Sequence, residues 1–302
     1  MQSILDLRNM SDWNSMKHVA MRLQKQMDDP SHQNTNGITT SISRIDRENG
    51  GFKPGQLVII AARPGMGKSA FMSRIALHAA KDKKTVGIVS LEMDDKDLLA
   101  RMTSIETNIK HRSIDSNRLD DEERNTVIKH LNKISDEYRI YISDSPEIDI
   151  SVIRSKVSRL KKIIGLDLLI IDYLQLISTK RSRTKSREQE VAELSRALKV
   201  LAMQEHIPII VLAQLNRNAE LRPDRKPLLA DLRESGSLEQ DADIVMLLHR
   251  DEAAGITRDK YGNKTDGQAE LTVAKWRNGA TMTVKLGFDK EKMRFYEINS
   301  NS

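Results

Sequence analysis

The stretch QLVIIAARPGMGKSAFMSRIALHAAK, residues 56–81, places a strand, a glycine-containing turn and a helix in one continuous run. Gln56–Ala61 is almost wholly aliphatic, which is typical of a strand buried on both faces of a sheet. Lys68–Lys81 is predicted to be a helix. Between them, Gly65 and Gly67 let the backbone approach phosphate oxygens at a helix N-terminus, where the dipole favours an anion. The run therefore predicts a phosphate-binding P-loop.

The side chains of this loop also fit a nucleotide with its metal ion. Lys68 supplies a positive charge for the outer phosphates, and Ser69 offers a hydroxyl to Mg²⁺. The usual pattern begins with glycine, and Ala62 stands at that position here. The residues that we expect to bind the nucleotide from this loop are Arg63, Pro64, Gly65, Met66, Gly67, Lys68 and Ser69.

Outside this run, strand and helix patterns alternate along most of the chain. The predicted strands are Gln56–Ala61, Thr85–Ser90, Arg139–Ile142, Asp167–Asp172, Pro208–Ala213 and Ile244–His249. The predicted helices are Lys68–Lys81, Asp94–Thr107, Asp120–Ile134, Asp149–Ile164 and Glu188–Glu205. Three later segments alternate roughly with period two, as antiparallel strands do: Ala269–Lys275, Thr281–Phe288 and Arg294–Ile298. The sequence thus predicts an α/β fold, with a mostly parallel sheet flanked by helices and C-terminal antiparallel hairpins.

Polar residues at the ends of three predicted strands complete a candidate nucleotide site. Asp172 ends the strand LLIID and, with Ser69, is the predicted Mg²⁺ ligand. Glu92, in the segment SLEM, could activate water as a general base, or it could be an ordinary carboxylate at a helix start. Gln214 follows the strand PIIVLA and could sense the γ-phosphate.

Composition and charge restrict the protein classes that remain. The 302 residues contain no cysteine, which excludes disulfides, thiolate catalysis and Cys-ligated metals. The longest apolar runs, Leu57–Ala62 and Ile207–Ala213, are far shorter than the roughly 20 residues of a membrane span. No signal-peptide pattern opens the sequence. We therefore expect a soluble, cytoplasmic protein with no membrane partner, and no metal other than Mg²⁺.

The net charge of +6 is modest, but part of it is concentrated in KRSRTKSR, residues 180–187. A run without acidic residues favours a nucleic-acid contact through Arg181, Arg183 and Lys185. A flexible solvated loop is the alternative interpretation. No aromatic residue lies in the run, so base stacking is not expected there.

The N-terminal region is predicted to stand apart from the α/β domain. Trp13–Met27 carries apolar residues at alternating spacings of three and four, and the polar stretch DDPSHQNTNG, residues 28–37, resembles a linker. The helix could fold back on its own domain or dock on a neighbouring subunit. We therefore divide the chain into a linker region, residues 1–36, and one large domain, residues 37–302.

Six segments in order closely resemble the motor domain of DnaB-type replicative DNA helicases: ARPGMGKS, SLEM, IIDYLQLI, AQLNR, DLRESGSLEQDAD and KWRNG. The resemblance extends from Gly37 to the C-terminus, and an alanine at the position of Ala62 also occurs in that family. It implies a RecA-like fold, a homo-hexameric ring, and ATP-driven 5′-to-3′ movement on single-stranded DNA that unwinds duplex at replication forks. ATP and Mg²⁺ are the implied cofactors, with primase and a helicase loader as further partners.

The resemblance also assigns roles to individual residues of the nucleotide site. Glu92 matches the catalytic glutamate, Asp172 the Walker B aspartate and Gln214 the γ-phosphate sensor. Lys68 is the P-loop lysine. Arg101, on the helix after SLEM, matches an arginine that helps to hold the nucleotide.

Lys275 and Arg277 match the pair that a neighbouring subunit inserts at the γ-phosphate. Two positions apart on an extended strand, they should point to the same face. Trp276 lies between them, where the family commonly has glutamine, so the sequence alone leaves the packing of this turn open. An arginine supplied in this way would make hydrolysis depend on assembly.

The resemblance implies that two segments contact DNA. Asp231–Ser237, DLRESGS, resembles a central-channel loop in which Arg233, Glu234 and Gly236 lie against the strand. KRSRTKSR falls where the family has a second pore-facing loop. Both would grip the DNA backbone without sequence preference.

The resemblance leaves two other functions open. One is a RecA-like, DNA-dependent ATPase of recombination or repair that does not unwind DNA, and the other is a nucleotide-gated adaptor ring. The intact site residues favour an enzyme over an adaptor. Complete family members also carry an N-terminal collar domain that meets the primase, whereas the residues before Gly37 resemble only the linker helix that docks on an adjacent motor domain.

Overall fold

The computed structural model describes residues 15–28, 37–145, 149–172, 174, 186–259 and 261–298, without the side chains of residues 26, 187 and 233–235. The chain divides into two units, Met1–Asn36 and Gly37–Ser302. Within the first unit, helix α1 spans Met16–Asp28. Trp13, the predicted start of this helix, lies outside the described residues. In the part of the chain that the structure describes, no helix is long and apolar enough to cross a membrane.

The second unit contains the α/β fold that the sequence predicts. Its helices are α2 (Ser43–Asn49), α3 (Lys68–Lys81), α4 (Asp95–Thr107), α5 (His111–Asp115), α6 (Asp121–Glu137), α7 (Ile150–Ile163), α8 (Arg187–Glu205) and α9 (Gly236–Asp241). Its strands are β1 (Leu57–Ala62), β2 (Val86–Ser90), β3 (Ile140–Ser143), β4 (Leu168–Asp172), β5 (Ile209–Gln214), β6 (Ile244–His249), β7 (Gln268–Trp276), β8 (Met282–Asp289) and β9 (Arg294–Glu297). Two 3₁₀ helices, Arg217–Leu221 and Leu229–Ser235, connect β5 to α9.

All nine of these strands form one sheet, in the order β3-β2-β4-β5-β1-β6-β7-β8-β9. The pairings from β3 to β6 are parallel, and those from β6 to β9 are antiparallel. The prediction of a parallel sheet with antiparallel hairpins at one edge is confirmed. The central strand β1 lies between β5 and β6, so its carboxyl end is surrounded by the ends of other parallel strands.

Two apolar clusters cover the two faces of the sheet. Val58 and Ile60 of β1 belong to the cluster that includes α3, whereas Leu57 and Ile59 belong to the cluster that includes α8. Because alternate side chains of a strand point to opposite faces, a strand covered on both sides is aliphatic at every position. This explains why β1, β4 and β6 read as continuous apolar runs.

Side-chain caps fix several helix starts. Asp94, Asp120 and Asp149 accept hydrogen bonds from backbone N–H groups at the starts of α4, α6 and α7. The sequence prediction placed each of these residues inside its helix, whereas the structure makes each one the N-cap. Ser186 caps α8 in a reciprocal arrangement with Gln189. These caps satisfy backbone donors that have no partner inside the helix.

The C-terminal strands pack beneath the turn between β1 and α3. Phe295 of β9 is fully buried, edge-on to Phe71 of α3 with ring centroids 5.7 Å apart, and 4.5 Å from the ring of Phe288. Gly67 has φ +96°, and a Cβ atom there would lie 2.9 Å from the Phe295 ring. The turn therefore requires glycine for its backbone conformation and also for its contact with this aromatic cluster.

We expect Phe295→Ala to lower the free energy of unfolding by about 3–5 kcal/mol, because it removes a fully buried ring and leaves a cavity. Denaturant unfolding of the full chain measures the change. Tyr296→Ala is the matched control, since Tyr296 is 42% exposed on the same strand, and its cost should be about 1 kcal/mol or less. Equal losses for both variants would contradict the role given to the aromatic cluster.

Candidate functional site

The turn between β1 and α3 has the geometry of a phosphate-binding loop. Gly65 and Gly67 both have positive φ, at +77° and +96°, and Gly67 is the N-cap of α3. The backbone N–H groups that follow Gly67 lead into a 14-residue helix whose N-terminus favours an anion. Pro64 is exposed, whereas the Met66 side chain is buried and anchors the loop to the core.

Charged groups of opposite sign converge on Asp172 at the end of β4. Its side chain is 1% exposed, and neither carboxylate oxygen has a hydrogen-bond partner among the described residues. Burial raises the pKa of Asp172, while the neighbouring Ser69 hydroxyl and the charges of Lys68 and Arg101 oppose that rise. Burial also lowers the pKa of Lys68 and of Arg101, against the attraction of Asp172.

Glu92 and Gln214 lie at the same edge of the sheet as Asp172. Ser90 is paired with Asp172 in the register of β2 and β4, and the backbone N–H of Leu91 donates to the Asp172 carbonyl at 2.7 Å. Glu92 is the next residue, and it is exposed. Gln214 is paired with Ala62 in the register of β5 and β1, and it is also exposed. The structure thus brings these predicted side chains to one edge, beside the loop.

Arg63 lies at the start of the loop, but its side chain points away from solvent. It is 12% exposed, and its guanidinium donates to the Leu215 carbonyl at 2.7 Å. The same guanidinium contacts Glu220 through Nε at 2.8 Å and through Nη2 at 2.6 Å. The predicted nucleotide-binding residue is therefore also an anchor to the segment that follows β5.

Arg250 is a residue of this site that sequence reasoning missed. It directly follows β6, is 5% exposed, and donates from Nη1 to the carbonyl of Gly65 at 3.2 Å. Its guanidinium carbon lies 3.9 Å from the centroid of the Phe288 ring, and burial lowers the pKa of Arg250. An arginine directly after a buried strand at the carboxyl edge was the only sequence signal.

The phosphate-binding loop lies at the carboxyl ends of the parallel strands, whereas Lys275 and Arg277 lie at the amino ends of those strands. Trp276 pairs with Ile244, which pairs with Val58 at the start of β1. The loop begins at Ala62, four residues further along β1, which corresponds to about 13 Å of strand at about 3.3 Å per residue. The two cations therefore do not meet the loop of their own chain.

The two cations do share one face, as their spacing predicts. Lys275 Nζ contacts the Glu239 carbonyl, and Arg277 Nη2 donates to the Gln240 carbonyl at 2.7 Å. Arg277 Nη1 also lies 3.2 Å from the Asp243 carboxylate. Burial and the charge of Arg277 lower the pKa of Lys275. These contacts present both cations at the C-terminal end of α9.

The predicted DNA-contacting segments are only partly described. Arg181, Arg183 and Lys185 lie outside the described residues, and so do the side chains of Arg233 and Glu234. Over Asp231–Ser237 the backbone is helical, because the 3₁₀ helix Leu229–Ser235 continues directly into α9. The seven-residue segment contains one glycine, and Gly236 adopts right-handed helical angles, φ −53° and ψ −28°. A Cβ atom there would meet nothing within 4 Å.

Comparisons with known proteins agree with this architecture. Residues 37–297 match the family described as DnaB-like helicase C terminal domain. Replicative DNA helicase DnaB of Geobacillus stearothermophilus is 42% identical over 265 residues, covering 87% of this chain and 57% of that protein. The DnaB of Leifsonia xyli subsp. xyli is 43% identical over 264 residues, covering 87% and 56%. The chain thus spans a little more than half the length of these curated relatives.

Solved structures give the same result. One solved structure, described as an ATPase domain, superposes with a TM-score of 0.87 at 32% identity, covering 95% of this chain and all of the other. A DnaB-like replicative helicase, whose structure is described together with its interactions with primase, superposes with a TM-score of 0.83 at 32% identity, covering 95% and 68%. The fold is therefore that of RecA-like helicase ATPase domains, and the chain belongs to the DnaB-like helicase C-terminal domain family.

Proposed function

We propose that this chain is the ATP-driven motor of a replicative helicase, which moves 5′-to-3′ along single-stranded DNA and unwinds duplex as a hexameric ring. The observation that carries the proposal is that the two sets of proposed site residues lie at opposite ends of the sheet's parallel strands. The phosphate-binding loop, with Lys68 and Asp172, lies at one edge of the sheet, and Lys275 and Arg277 lie at the other. A complete site then requires a second copy of the chain.

The residues at the carboxyl edge fit ATP with Mg²⁺. Asp172 offers two buried carboxylate oxygens that no described residue satisfies, and the Ser69 hydroxyl lies beside it. A buried carboxylate with unsatisfied hydrogen-bonding capacity is costly, and a hard divalent cation that prefers oxygen ligands would satisfy it. We propose that Ser69 and Asp172 hold Mg²⁺, which neutralises phosphate charge when bound. Lys68, Arg101 and the backbone N–H groups of residues 65–69 would hold the phosphates.

In the proposed hydrolysis, Glu92 accepts a proton from the attacking water, since it is the exposed carboxylate beside the Asp172 strand end. Gln214, at the end of β5 between β4 and β1, would contact the γ-phosphate. The neighbouring subunit would supply Lys275 and Arg277 to the charge that develops in the transition state. Separating the acid-base group from the trans cations on two subunits makes turnover depend on ring assembly.

The remaining contacts of the motor follow the same proposal. Helix α1 carries exposed apolar side chains, Met16, Leu23 and Met27 among them, which fit docking on a neighbouring subunit. Arg233, Glu234 and Gly236 would line the DNA channel, together with Arg181, Arg183 and Lys185. Primase and a helicase loader are the proposed protein partners.

The direct test is Mg²⁺-dependent ATP hydrolysis with and without single-stranded DNA, over a range of protein concentrations. We expect a specific activity that rises with concentration and rises again with DNA. Unwinding of a forked duplex then separates a helicase from a DNA-dependent ATPase that does not unwind. Activity independent of concentration and DNA would mean that one chain holds a complete site, and the ring mechanism would be wrong.

Glu92→Gln should retain the binding of ATP and single-stranded DNA while turnover falls by about 10²–10⁴-fold, because the amide cannot accept the proton. Steady-state hydrolysis and equilibrium binding measure the two effects. Glu122→Gln, an exposed substitution at the first turn of α6, is the matched control and should be neutral. Normal turnover of Glu92→Gln would remove this residue from the base role.

Rings mixed from Arg277→Ala subunits and Glu92→Gln subunits should recover part of the activity that each variant lacks alone. Some interfaces in such rings pair an intact Glu92 with an intact Arg277 of the neighbour. An arginine supplied in trans contributes about 10³–10⁵ in rate, so the recovery is readily measured by ATP hydrolysis. If mixed rings form, as subunit exchange of labelled chains would show, and no mixture recovers activity, catalysis across the interface is wrong.

Asp172→Asn should raise the thermal midpoint of the protein free of Mg²⁺ and nucleotide, while abolishing Mg²⁺-dependent turnover. A carboxyl whose pKa rises on folding destabilises the folded state above that raised pKa, and the cost disappears as the pH falls toward the ordinary value of 3.8. The difference between variant and wild type should therefore shrink as the pH is lowered. Calorimetry of both proteins as the pH is lowered from neutral measures this difference, and a difference that grows as the pH falls would contradict the assignment.

A further inference from the structure

The segment between β5 and α9 is closed on itself and is bonded to the phosphate-binding loop. Its first residues continue the pairing of β5, because the N–H of Leu215 donates to the Ala62 carbonyl at 3.1 Å. The N–H of Asn216 then donates to the carbonyl of Asp231 at 3.2 Å. Residues 216–231 thus form a loop whose two ends meet beside the P-loop. The last residues of this loop are the first residues of the 3₁₀ helix Leu229–Ser235.

One ion pair attaches this segment to the P-loop. The guanidinium of Arg63 makes three contacts, at 2.6–2.8 Å, with the Leu215 carbonyl and the Glu220 carboxylate. A planar guanidinium with several charge-assisted bonds fixes the orientation of both partners. Arg63 is also part of the turn, since its carbonyl accepts from the N–H of Met66 at 3.4 Å. A change in that turn therefore moves the anchor.

A second ion pair attaches the same segment to the 3₁₀ helix that precedes Gly236. Arg222 contacts both carboxylate oxygens of Asp231, one of them at 3.1 Å, and the Lys226 carbonyl at 2.6 Å. Asp231 is 3% exposed, and it also accepts from the N–H of Leu228 at 2.8 Å. The hydrogen bonds with Asp231 raise the pKa of Arg222.

Apolar packing does little to hold residues 216–228 in place, since Ala219 is the one buried residue among them. Within the 3₁₀ helix Arg217–Leu221, Leu221 is 83% exposed, the Glu220 side chain is 52% exposed, and Ala219 is the buried apolar residue. The position of these residues therefore depends on polar contacts more than on the core: the two ion pairs, a further ion pair between Lys226 and Glu270 of β7, and the backbone bonds. A segment held by polar contacts can move as a unit when its anchor moves.

We propose that Arg63–Glu220 and Arg222–Asp231 are positioning pairs that couple occupancy of the nucleotide site to the segment Leu229–Ser235. The inference rests on the proposed function, under which that segment carries the residues that contact DNA. In this proposal Glu220 and Arg222 act through Arg63 and Asp231, and they do not themselves contact the nucleotide or the DNA. Their role is to transmit a change in the P-loop turn to the DNA-contacting segment, and the same linkage must operate in reverse.

The test measures the affinity of the full chain for fluorescent single-stranded DNA, with and without a non-hydrolysable ATP analogue. In the wild type, the analogue should change the DNA affinity. Glu220→Ala and Arg222→Gln break one pair each, and each should reduce that change by about fivefold or more. The affinity for the analogue without DNA should stay within about twofold of the wild-type value. Thermal unfolding checks that both variants are folded.

Glu291→Ala is the matched control, because it removes an exposed ion pair, Lys110–Glu291 at 3.0 Å, whose two residues lie outside residues 216–235. It should leave the coupling unchanged. If the wild type itself binds no single-stranded DNA, or the analogue has no effect on that binding, the proposed function fails. If the wild type is coupled and Glu220→Ala and Arg222→Gln are coupled equally, the positioning role is wrong. Loss of analogue binding in Glu220→Ala without DNA would also overturn it, since that result makes Glu220 part of the nucleotide site.

Discussion

The close contact between Gly67 and the ring of Phe295 is the constraint on which the site depends. It joins a residue of the β1–α3 turn to a strand near the other end of the chain. Phe288 and Phe71 surround the same ring, and Arg250 lies on Phe288 while it donates to the Gly65 carbonyl. The position of the phosphate-binding loop therefore depends on contacts with residues distant in sequence, Phe295, Phe288 and Arg250. Its glycines alone do not determine its position.

The antiparallel strands β7, β8 and β9 have different neighbours at their two ends. At one end, Phe288 of β8 and Phe295 of β9 support the phosphate-binding loop of their own chain. At the other end, the β7–β8 turn presents Lys275 and Arg277 at the opposite edge of the sheet. In a ring, one rigid hairpin would thus connect the nucleotide site of its own subunit with that of a neighbour. Strand pairing along β7 and β8 makes the connection stiff.

The sequence predicted the parallel strands to within one or two residues, because strands buried on both faces are continuous aliphatic runs. It missed the short helices α2, α5 and α9 and both 3₁₀ helices, since elements of five to seven residues have too few turns for periodicity. Asp172, Glu92 and Gln214 were foreseen at one sheet edge because parallel strands end together. The roles of Arg250 and Glu220 were not foreseen, because their bonds join residues 185 and 157 positions apart.

Trp276, at a position where the family commonly has glutamine, packs into the core on the side away from the two cations. Because alternate residues of a strand face opposite sides, Trp276 points away from Lys275 and Arg277 and stacks on Phe52 with centroids 6.2 Å apart. The large ring restricts the turn that follows. A Cβ atom at Gly279 would lie 2.3 Å from the indole and 2.4 Å from the amide oxygen of Asn49, which accepts from the N–H of Ala280. Trp276 therefore requires glycine at position 279, and this packing lies on the face of β7 opposite the two cations.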